Sequence, residues 1–488
     1  MREFGKVRAE IDDCEEKQHY AQGIDRIHYV LRCHGDVLDK SEKSWLYERL
    51  ALFLSYCGDM KASAEAFRQY VMQAPSVEEQ KQAYSNYLFE CHYLDDLDDG
   101  ELANRHFRYG KLFHKEQEFQ HDAEKHRCHE KIRVGYISTN FKEHVMNCFM
   151  LHLLAYPDRE RFDVYCYDLW GNEDETTEQL KSFGNIWRTL ASMGTWEKAK
   201  AIYDDEIDIL FDFSGHSDGG HGLLVAGYKP APLQISGIGY MSTTGLPAMD
   251  YYLSDVHLDP LGSGEKYFSE KLLRLPSSHL CYLPFKEVYE ARLDYRVHQP
   301  IVFGCFNKTM KITERMLALW LEILRRVPGA KLLLKAYLPE KASREFLLKK
   351  ARAVGYAPEQ IEIRPMRQDY AAEYMDMDIA LDTYPYTGGG MTCVALYMGV
   401  PVVTLAGTRH GARFGLSLLE NVGIGELVAQ NEQEYIEKAV ALAHDKELLT
   451  ALHAQLRPMM QASPLMDGRN YVREMEAAYE RIWGEWIA

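Results

Sequence analysis

Asp378-Ile-Ala-Leu-Asp-Thr-Tyr-Pro-Tyr-Thr-Gly-Gly-Gly-Met-Thr-Cys393 is the stretch that decides how this chain folds. Ile379 to Leu381 read as an apolar parallel strand. Gly388, Gly389 and Gly390 remove every Cβ where a ligand would approach the backbone, and a helix opening near Met391 turns unpaired N–H groups toward the same point. A strand that runs through glycines into a helix is a seat for an anion, a phosphate above all. A glycine turn by itself is also an ordinary tight connection, so the reading depends on what surrounds it.

On either side of this stretch, short β-branched runs alternate with amphipathic helices. Strands are predicted at Ile301–Phe306, Lys331–Lys335, Gln360–Arg364, Asp378–Asp382 and Pro401–Ala406. A helix capped by Thr313 carries Met316, Leu317, Trp320, Leu321 and Leu324 on one face. Further back, strands at Arg133–Ser138, Phe162–Asp168, Ile207–Phe213 and Leu233–Gly239 form an earlier unit with helix Thr195–Asp204. Such alternation predicts two Rossmann-like domains with the C-terminal strand ends of both sheets facing a cleft, where open α/β sheets bind ligands. Residues before Lys131 show helical periodicity and almost no strand signal. Trp45 to Pro75 fits one degenerate tetratricopeptide unit, with Gly58 at the inter-helix turn and Phe67 in the second helix, so a short cap of about three to five helices is expected.

The expected organisation is therefore a helical tetratricopeptide-like cap over 1–130, an N-terminal Rossmann-like domain over 131–290, a C-terminal one over 291–465, and a closing helix over 466–488 that packs back on the first. The fold class is α/β with a small all-α domain in front. The cap is expected to join the first Rossmann-like domain through Phe107, Tyr109 and Leu112.

Composition limits the function. The chain has 488 residues, 46% hydrophobic and 26% charged, enough for two or three full cores. Its net charge of −17, from 56 Lys+Arg against 73 Asp+Glu, argues against a nucleic-acid-wrapping surface. Ten cysteines without a Cys-x-x-Cys pair, and a first stretch Met-Arg-Glu-Phe-Gly-Lys without an apolar core, lead us to expect free thiols in the cytoplasm. No apolar run approaches the roughly 18 to 20 residues of a membrane span. His121, His126, Cys128 and His129 lack paired-ligand spacing, so no metal is expected there. The Asp95-Asp96-Leu-Asp98-Asp99 run lacks the full calcium-loop pattern, and Gly237-Ile-Gly239 misses the third glycine of a dinucleotide fingerprint. Oligomeric state is not legible.

Several blocks resemble the O-GlcNAc transferase family of inverting glycosyltransferases, family 41 with a GT-B fold: Arg133-Val-Gly-Tyr-Ile-Ser-Thr-Asn-Phe-Lys-Glu-His144, Asp212-Phe-Ser-Gly-His-Ser217, Lys229-Pro-Ala-Pro-Leu-Gln234, Phe306-Asn-Lys-Thr-Met-Lys311, the glycine turn, and Ser463-Pro-Leu-Met-Asp467. They occur in the family's order, and the likeness is greater to bacterial members with a short tetratricopeptide-like N-terminal region. The resemblance implies transfer of a sugar, N-acetylglucosamine first, from a UDP-sugar to a serine or threonine of a protein or peptide acceptor, without a metal or other cofactor. Alternatives from the same comparison are transfer of glucose to asparagine, and a degenerate scaffold on the same fold.

Inverting transfer needs a group to manage the acceptor proton, positive charge on the leaving diphosphate, and exclusion of water. Lys311 follows a strand end, precedes the helix capped by Thr313 and matches the family's diphosphate lysine, with Lys308 beside it. His144, in the loop after the first strand, matches a histidine proposed in the family as base or acceptor-side organiser, and His216 matches the bacterial motif. The nucleotide is expected on Gly388, Gly389, Gly390, Met391 and Thr392, its base framed by Arg367 and Tyr370. The sugar is expected near Ser242 and Thr243 of Met241-Ser-Thr-Thr-Gly245, which lacks the family's leading Pro-Gly. His410 and Arg413 recur in a family-like segment and are expected to support the site. Where relatives carry the ribose-binding carboxylate this chain has Val394, which cannot accept a hydroxyl bond.

Overall fold

The computed structural model describes residues 2–113, 118–337, 339–367 and 370–488. Two parallel sheets organise the chain. The first takes the order β3-β2-β1-β4-β5-β6-β7, built from β1 (Ile132–Ser138), β2 (Phe162–Asp168), β3 (Ile186–Thr189), β4 (Ile209–Asp212), β5 (Leu233–Ser236), β6 (Tyr251–Asp255) and β7 (Lys271–Leu275). The second takes the order β10-β9-β8-β11-β12-β13, from β8 (Val302–Cys305), β9 (Lys331–Ala336), β10 (Ile361–Pro365), β11 (Ile379–Leu381), β12 (Val402–Leu405) and β13 (Val428–Ala429). In each the chain begins at the centre, winds to one edge and returns on the other side. The order reverses between β1 and β4 and again between β8 and β11, which places a ligand crevice beyond the carboxyl ends of those pairs. These are two α/β domains of the GT-B kind, preceded by a helical region.

By packing, the chain forms two compact units: Met1–Leu97 with Glu290–Gly407 and Glu426–Leu456, and Asp98–Tyr289 with Thr408–Gly425 and Arg457–Ala488. A single cap over 1–130 is divided by this arrangement. Helices Arg2–Glu16, Tyr20–His34, Lys40–Tyr56, Met60–Gln73 and Val77–Cys91 belong with the second sheet. Gly58, at φ +76°, turns between the third and fourth of them, and a Cβ there would lie 2.1 Å from the ring of Phe346 on helix Glu340–Val354. In the same unit Trp320, Leu321 and Leu324 pack under Phe303, Leu332, Leu334, Ile379 and Val403. Trp320 Nε1 donates to Tyr435 Oη (3.0 Å), which donates to the carbonyl of Asp382 (2.9 Å), so the core reaches the end of β11 directly.

Helix Asp99–Gly110 belongs to the unit of the first sheet. Gly110 approaches so closely that a Cβ would fall 2.2 Å from the carbonyl of Gly245. Tyr109 is buried. Helix Gly468–Ile487 lies on the same sheet, with Tyr479 Oη 3.3 Å from Tyr136 Oη and Tyr471 Oη donating to His279 O at 2.9 Å. Among the described residues no helix is long and apolar enough to cross a membrane, and all ten cysteines are free thiols.

The unit of the first sheet should be sensitive to acid. His106 is fully buried; its Nδ1–H donates to Leu102 O (2.8 Å) and its Nε2 accepts from Tyr240 Oη (2.7 Å), which fixes a neutral ring. Burial holds its pKa down at about 4, against roughly 6.5 in an unfolded chain. With the folded value below the unfolded one, its contribution is complete above pH ~6.5 and is lost as pH falls below that; at pH 5 roughly 2 kcal/mol has gone. Melting temperature should therefore fall between pH 7 and pH 5, less steeply in His106→Asn than in the parent. Parallel profiles for the two proteins would count against this assignment.

Candidate functional site

At the β8–β11 reversal, both flanking segments carry the residues expected to hold a diphosphate. β8 ends in Phe306, Asn307 and Lys308, passes through the single turn Thr309–Lys311, and enters helix Glu314–Arg326, where the Thr313 side chain accepts from Met316 N–H. β11 ends at Asp382 and runs through the glycines into helix Gly390–Tyr397. Asp382 is the buried hub of this turn. Its carboxylate accepts from Gly388 N–H (2.7 Å), Thr383 N–H (2.8 Å), Asn307 Nδ2 (3.2 Å) and Thr404 Oγ1 (2.8 Å). Burial raises its pKa, and the bonds from Gly388, Thr404 and Thr383 and the charge of Lys311 oppose the shift.

Lys311 reaches this turn from β8. The residue is half-buried, and its ammonium donates to Thr387 O at 2.9 Å and stands 3.5 Å above the ring centre of Tyr386. Burial pulls its pKa below the usual lysine value, Asp382 opposes that, and Lys308 adds to it. Lys308 itself is exposed. One expected contact is corrected: the Gly388 N–H is committed to Asp382 and is not open to an anion. A Cβ on Gly388 would lie 2.4 Å from Thr392 Oγ1 and 3.1 Å from Asp382 Oδ1, so glycine is needed there for packing. Thr392 is buried behind the turn. The Met391 carbonyl accepts from Tyr374 Oη at 3.5 Å, and Tyr337 Oη bonds to Phe306 O. Arg367, exposed, and Tyr370, half-buried, lie after the edge strand β10, two strands from β8 in the sheet order.

Val394 is buried in the helix after the glycines, with Cys393, Ala395, Leu396 and Tyr397 all buried beside it. A carboxylate placed there loses its water. Val394→Asp should lower the melting temperature by about 5 °C or more and leave UDP affinity no better. A variant that melts like the parent and binds UDP more tightly would show instead that the family's ribose contact can be restored.

In the other unit, His144 lies in the loop between β1 and helix Asn147–Ala155, half-buried. Its Nδ1 accepts from Met146 N–H at 3.3 Å, and Glu143 N–H donates to Asp174 at 2.7 Å, which pins the loop to the N-cap of helix Glu175–Ser182. His216 lies elsewhere than expected of a base. It has 0% exposure, donates Nε2–H to Thr244 O (2.8 Å) and is ringed by His106, Tyr109 and Tyr240, with centroids 5.5, 4.7 and 5.0 Å away. Burial, with His106 adding to it, drives its pKa far below the histidine range. An acceptor hydroxyl has no surface to meet on this ring, so we assign His216 to holding the Thr244 loop. Thr243 is corrected too: its hydroxyl donates to buried Glu270 at 2.6 Å, and Thr244 N–H donates to the same carboxylate at 2.8 Å. Ser242 stays half-buried at the loop surface.

Asp212 was not singled out by sequence reading. It ends β4 as Asp382 follows β11, accepting from Gly215 N–H (2.8 Å) and from Ser236 Oγ (2.8 Å) of the next strand. Burial, with Asp218, lifts its pKa to about 7. Each sheet thus closes its reversal strand with one buried aspartate, bonded to a glycine N–H in the turn and to a hydroxyl on the neighbouring strand. An aspartate after an apolar strand with a glycine three to six positions on, and a Ser or Thr inside the next strand, is the signal that finds both.

His410 and Arg413 hold their segment in place. His410 Nδ1 lies 2.6 Å from Asp259 Oδ2, and Arg413 donates to Leu258 O (2.7 Å) and His257 O (2.9 Å). His126, His129 and Asp208 offer three ligand atoms within 4.8 Å of one another. Asp208 already accepts from His126 Nδ1 (2.7 Å), His129 Nδ1 (2.9 Å) and Arg133 N–H (2.8 Å), which makes the cluster a hydrogen-bonded pin between the connector and β4.

The model of glycosyl transferase family 41 matches residues 101–283 and 281–475. The chain is similar to a rice protein (Oryza sativa subsp. japonica) named probable UDP-N-acetylglucosamine–peptide N-acetylglucosaminyltransferase SPINDLY, 34% identical over 414 residues that cover 83% of this chain and 44% of the relative. It is also similar to the Arabidopsis thaliana protein of that activity name called SEC, 30% identical over 370 residues, 72% of this chain and 37% of the relative. The chain thus spans less than half the length of these relatives. Among solved structures, a point mutant of the Thermobaculum terrenum O-GlcNAc transferase matches with a TM-score of 0.82 and 27% identity, covering 99% of this chain and 98% of its own.

Proposed function

The chain belongs to glycosyl transferase family 41, and on that premise we propose that it moves a sugar, N-acetylglucosamine, from a UDP-sugar to a protein side chain, serine or threonine, with inversion. The observation that carries the proposal is the meeting of the Lys311 ammonium with the glycine turn at the β8–β11 reversal. The acceptor oxygen attacks the anomeric carbon opposite UDP, the bond from that carbon to the diphosphate oxygen breaks, and negative charge grows where Lys311 and the N–H groups of Gly389 to Met391 face it. His144 manages the acceptor proton. A lysine and a helix start supply the positive charge, so the proposed reaction needs no metal. The names of the relatives support the choice of donor and of a peptide acceptor. We place the reaction in the cytoplasm, which the free thiols favour.

Purified chain given a panel of nucleotide sugars should release UDP from UDP-N-acetylglucosamine and add that sugar's mass to proteins of its source cell. Release from another nucleotide sugar alone would reassign the donor. Buried Val394, in the place of the family's ribose carboxylate, favours a second reading, a scaffold on a degenerate transferase fold. Absence of both nucleotide binding and turnover would favour that reading over the enzyme.

A further inference from the structure

We infer that Tyr386 is a positioning residue: its ring sets the ammonium of Lys311 and is itself set by the end of helix Val77–Cys91, so that the helical region is coupled to the diphosphate site. The inference deepens the function proposed above and rests on its reading of Lys311.

Lys311 Nζ stands 3.5 Å from the centre of the Tyr386 ring and donates to the next residue's carbonyl, Thr387 O, at 2.9 Å. The π face and the carbonyl together fix where the charge sits. The backbone of Tyr386 is tied down by Thr383 Oγ1, which donates to its carbonyl at 2.8 Å. Its ring meets two side chains just past helix Val77–Cys91: Tyr93, at 5.7 Å between centroids and 36° between planes, and His92, at 6.3 Å and 62°. Both are buried. Their N–H groups donate back into the helix, His92 to Phe89 O (3.2 Å) and Tyr93 to Glu90 O (3.1 Å). A displacement of that helix end therefore moves the Tyr386 ring, and the ring moves the ammonium. All these residues lie in one compact unit.

The direct test needs no ligand. In the full chain reductively methylated with ¹³C-formaldehyde, the Lys311 signal, assigned by its loss in Lys311→Met, should be shifted upfield by the ring current of Tyr386. It should stay shifted in Tyr386→Phe, return to the bulk lysine position in Tyr386→Leu, and move toward it in Tyr93→Ala. A Lys311 signal at the bulk position in the parent overturns the inference, and a signal unmoved by Tyr93→Ala overturns the coupling to the helix. UDP binding gives the second readout. Tyr386→Leu should weaken it about tenfold, Tyr386→Phe should recover most of the loss, and in a Lys311→Met background the leucine should add less than about twofold. Fully additive losses would make Tyr386 merely structural. Parent protein that binds no UDP would sink the proposed function while the ring-current test still decides the placement of Lys311.

Discussion

Lys311→Met is expected to lower turnover with a UDP-sugar by roughly 10² or more, the scale of one preorganised charge contact at a leaving group. The fold should not suffer. Methionine keeps most of the stem and removes a cation whose burial already costs free energy, as its lowered pKa records, so melting temperature should hold or rise. The depressed pKa also fixes a sign. Lys311 begins to lose its proton at lower pH than an ordinary lysine, so UDP should bind with proton uptake, and its affinity should weaken on the alkaline side earlier than an unperturbed lysine would allow. Calorimetry in buffers of different ionisation enthalpy reads that uptake, and Lys311→Met should abolish it. Parent-like turnover in the variant would remove Lys311 from the mechanism.

Why this lysine was legible in the sequence is a matter of where it stands. β8 and β11 are central strands buried on both faces, and such strands read as short apolar runs that locate the residues immediately after them. Thr313 announced its helix for a similar reason, since a capping side chain acts locally. Strands β3, β6, β7 and β13 gave no such signal. β3, Ile186-Trp-Arg-Thr189, is mostly exposed, and β13 spans two residues. β6 and β7 follow a long loop whose path depends on Glu270 and Asp250 bonding to distant backbone. Strand β5 stops at Ser236 because Gly237 and Ile238, at φ +69°, turn away.

The same distinction divides the site. Positions on the backbone path, such as Lys311, Gly389 and His144, follow from local order. What each polar group is already bonded to does not, because the partner is set by folding and not by the local pattern: Asp382 accepts from the N–H of Gly388, Glu270 accepts from the hydroxyl of Thr243, and the Thr244 carbonyl accepts from His216 Nε2–H. The division of the helical region is of this kind too. Gly58 against Phe346 and Gly110 against Gly245 are contacts over long separations, and a periodicity that looks continuous cannot reveal them.

His144→Ala should cut transfer by about 10² to 10⁴ if this ring takes the acceptor proton, with UDP affinity within a few-fold, since a general base acts on the chemical step. The geometry sharpens the test. Nδ1 accepts from Met146 N–H, so the neutral ring carries its proton on Nε2; in this tautomer it would act on an acceptor hydroxyl as a donor, and it can take a proton only after the long 3.3 Å bond is released. A base and an organiser therefore differ in what repairs the loss. An amide donates a hydrogen bond but cannot accept a proton at neutral pH, so His144→Gln should recover activity only if organising is the whole role. We expect His144→Gln to remain as poor as His144→Ala. His216→Asn belongs beside them as the structural comparison: with its ring buried and bonded to Thr244 O, the change should lower melting temperature and reduce transfer only in proportion to folded protein. Transfer abolished in well-folded His216→Asn, with His144→Ala nearly unaffected, would exchange the roles assigned to the two histidines.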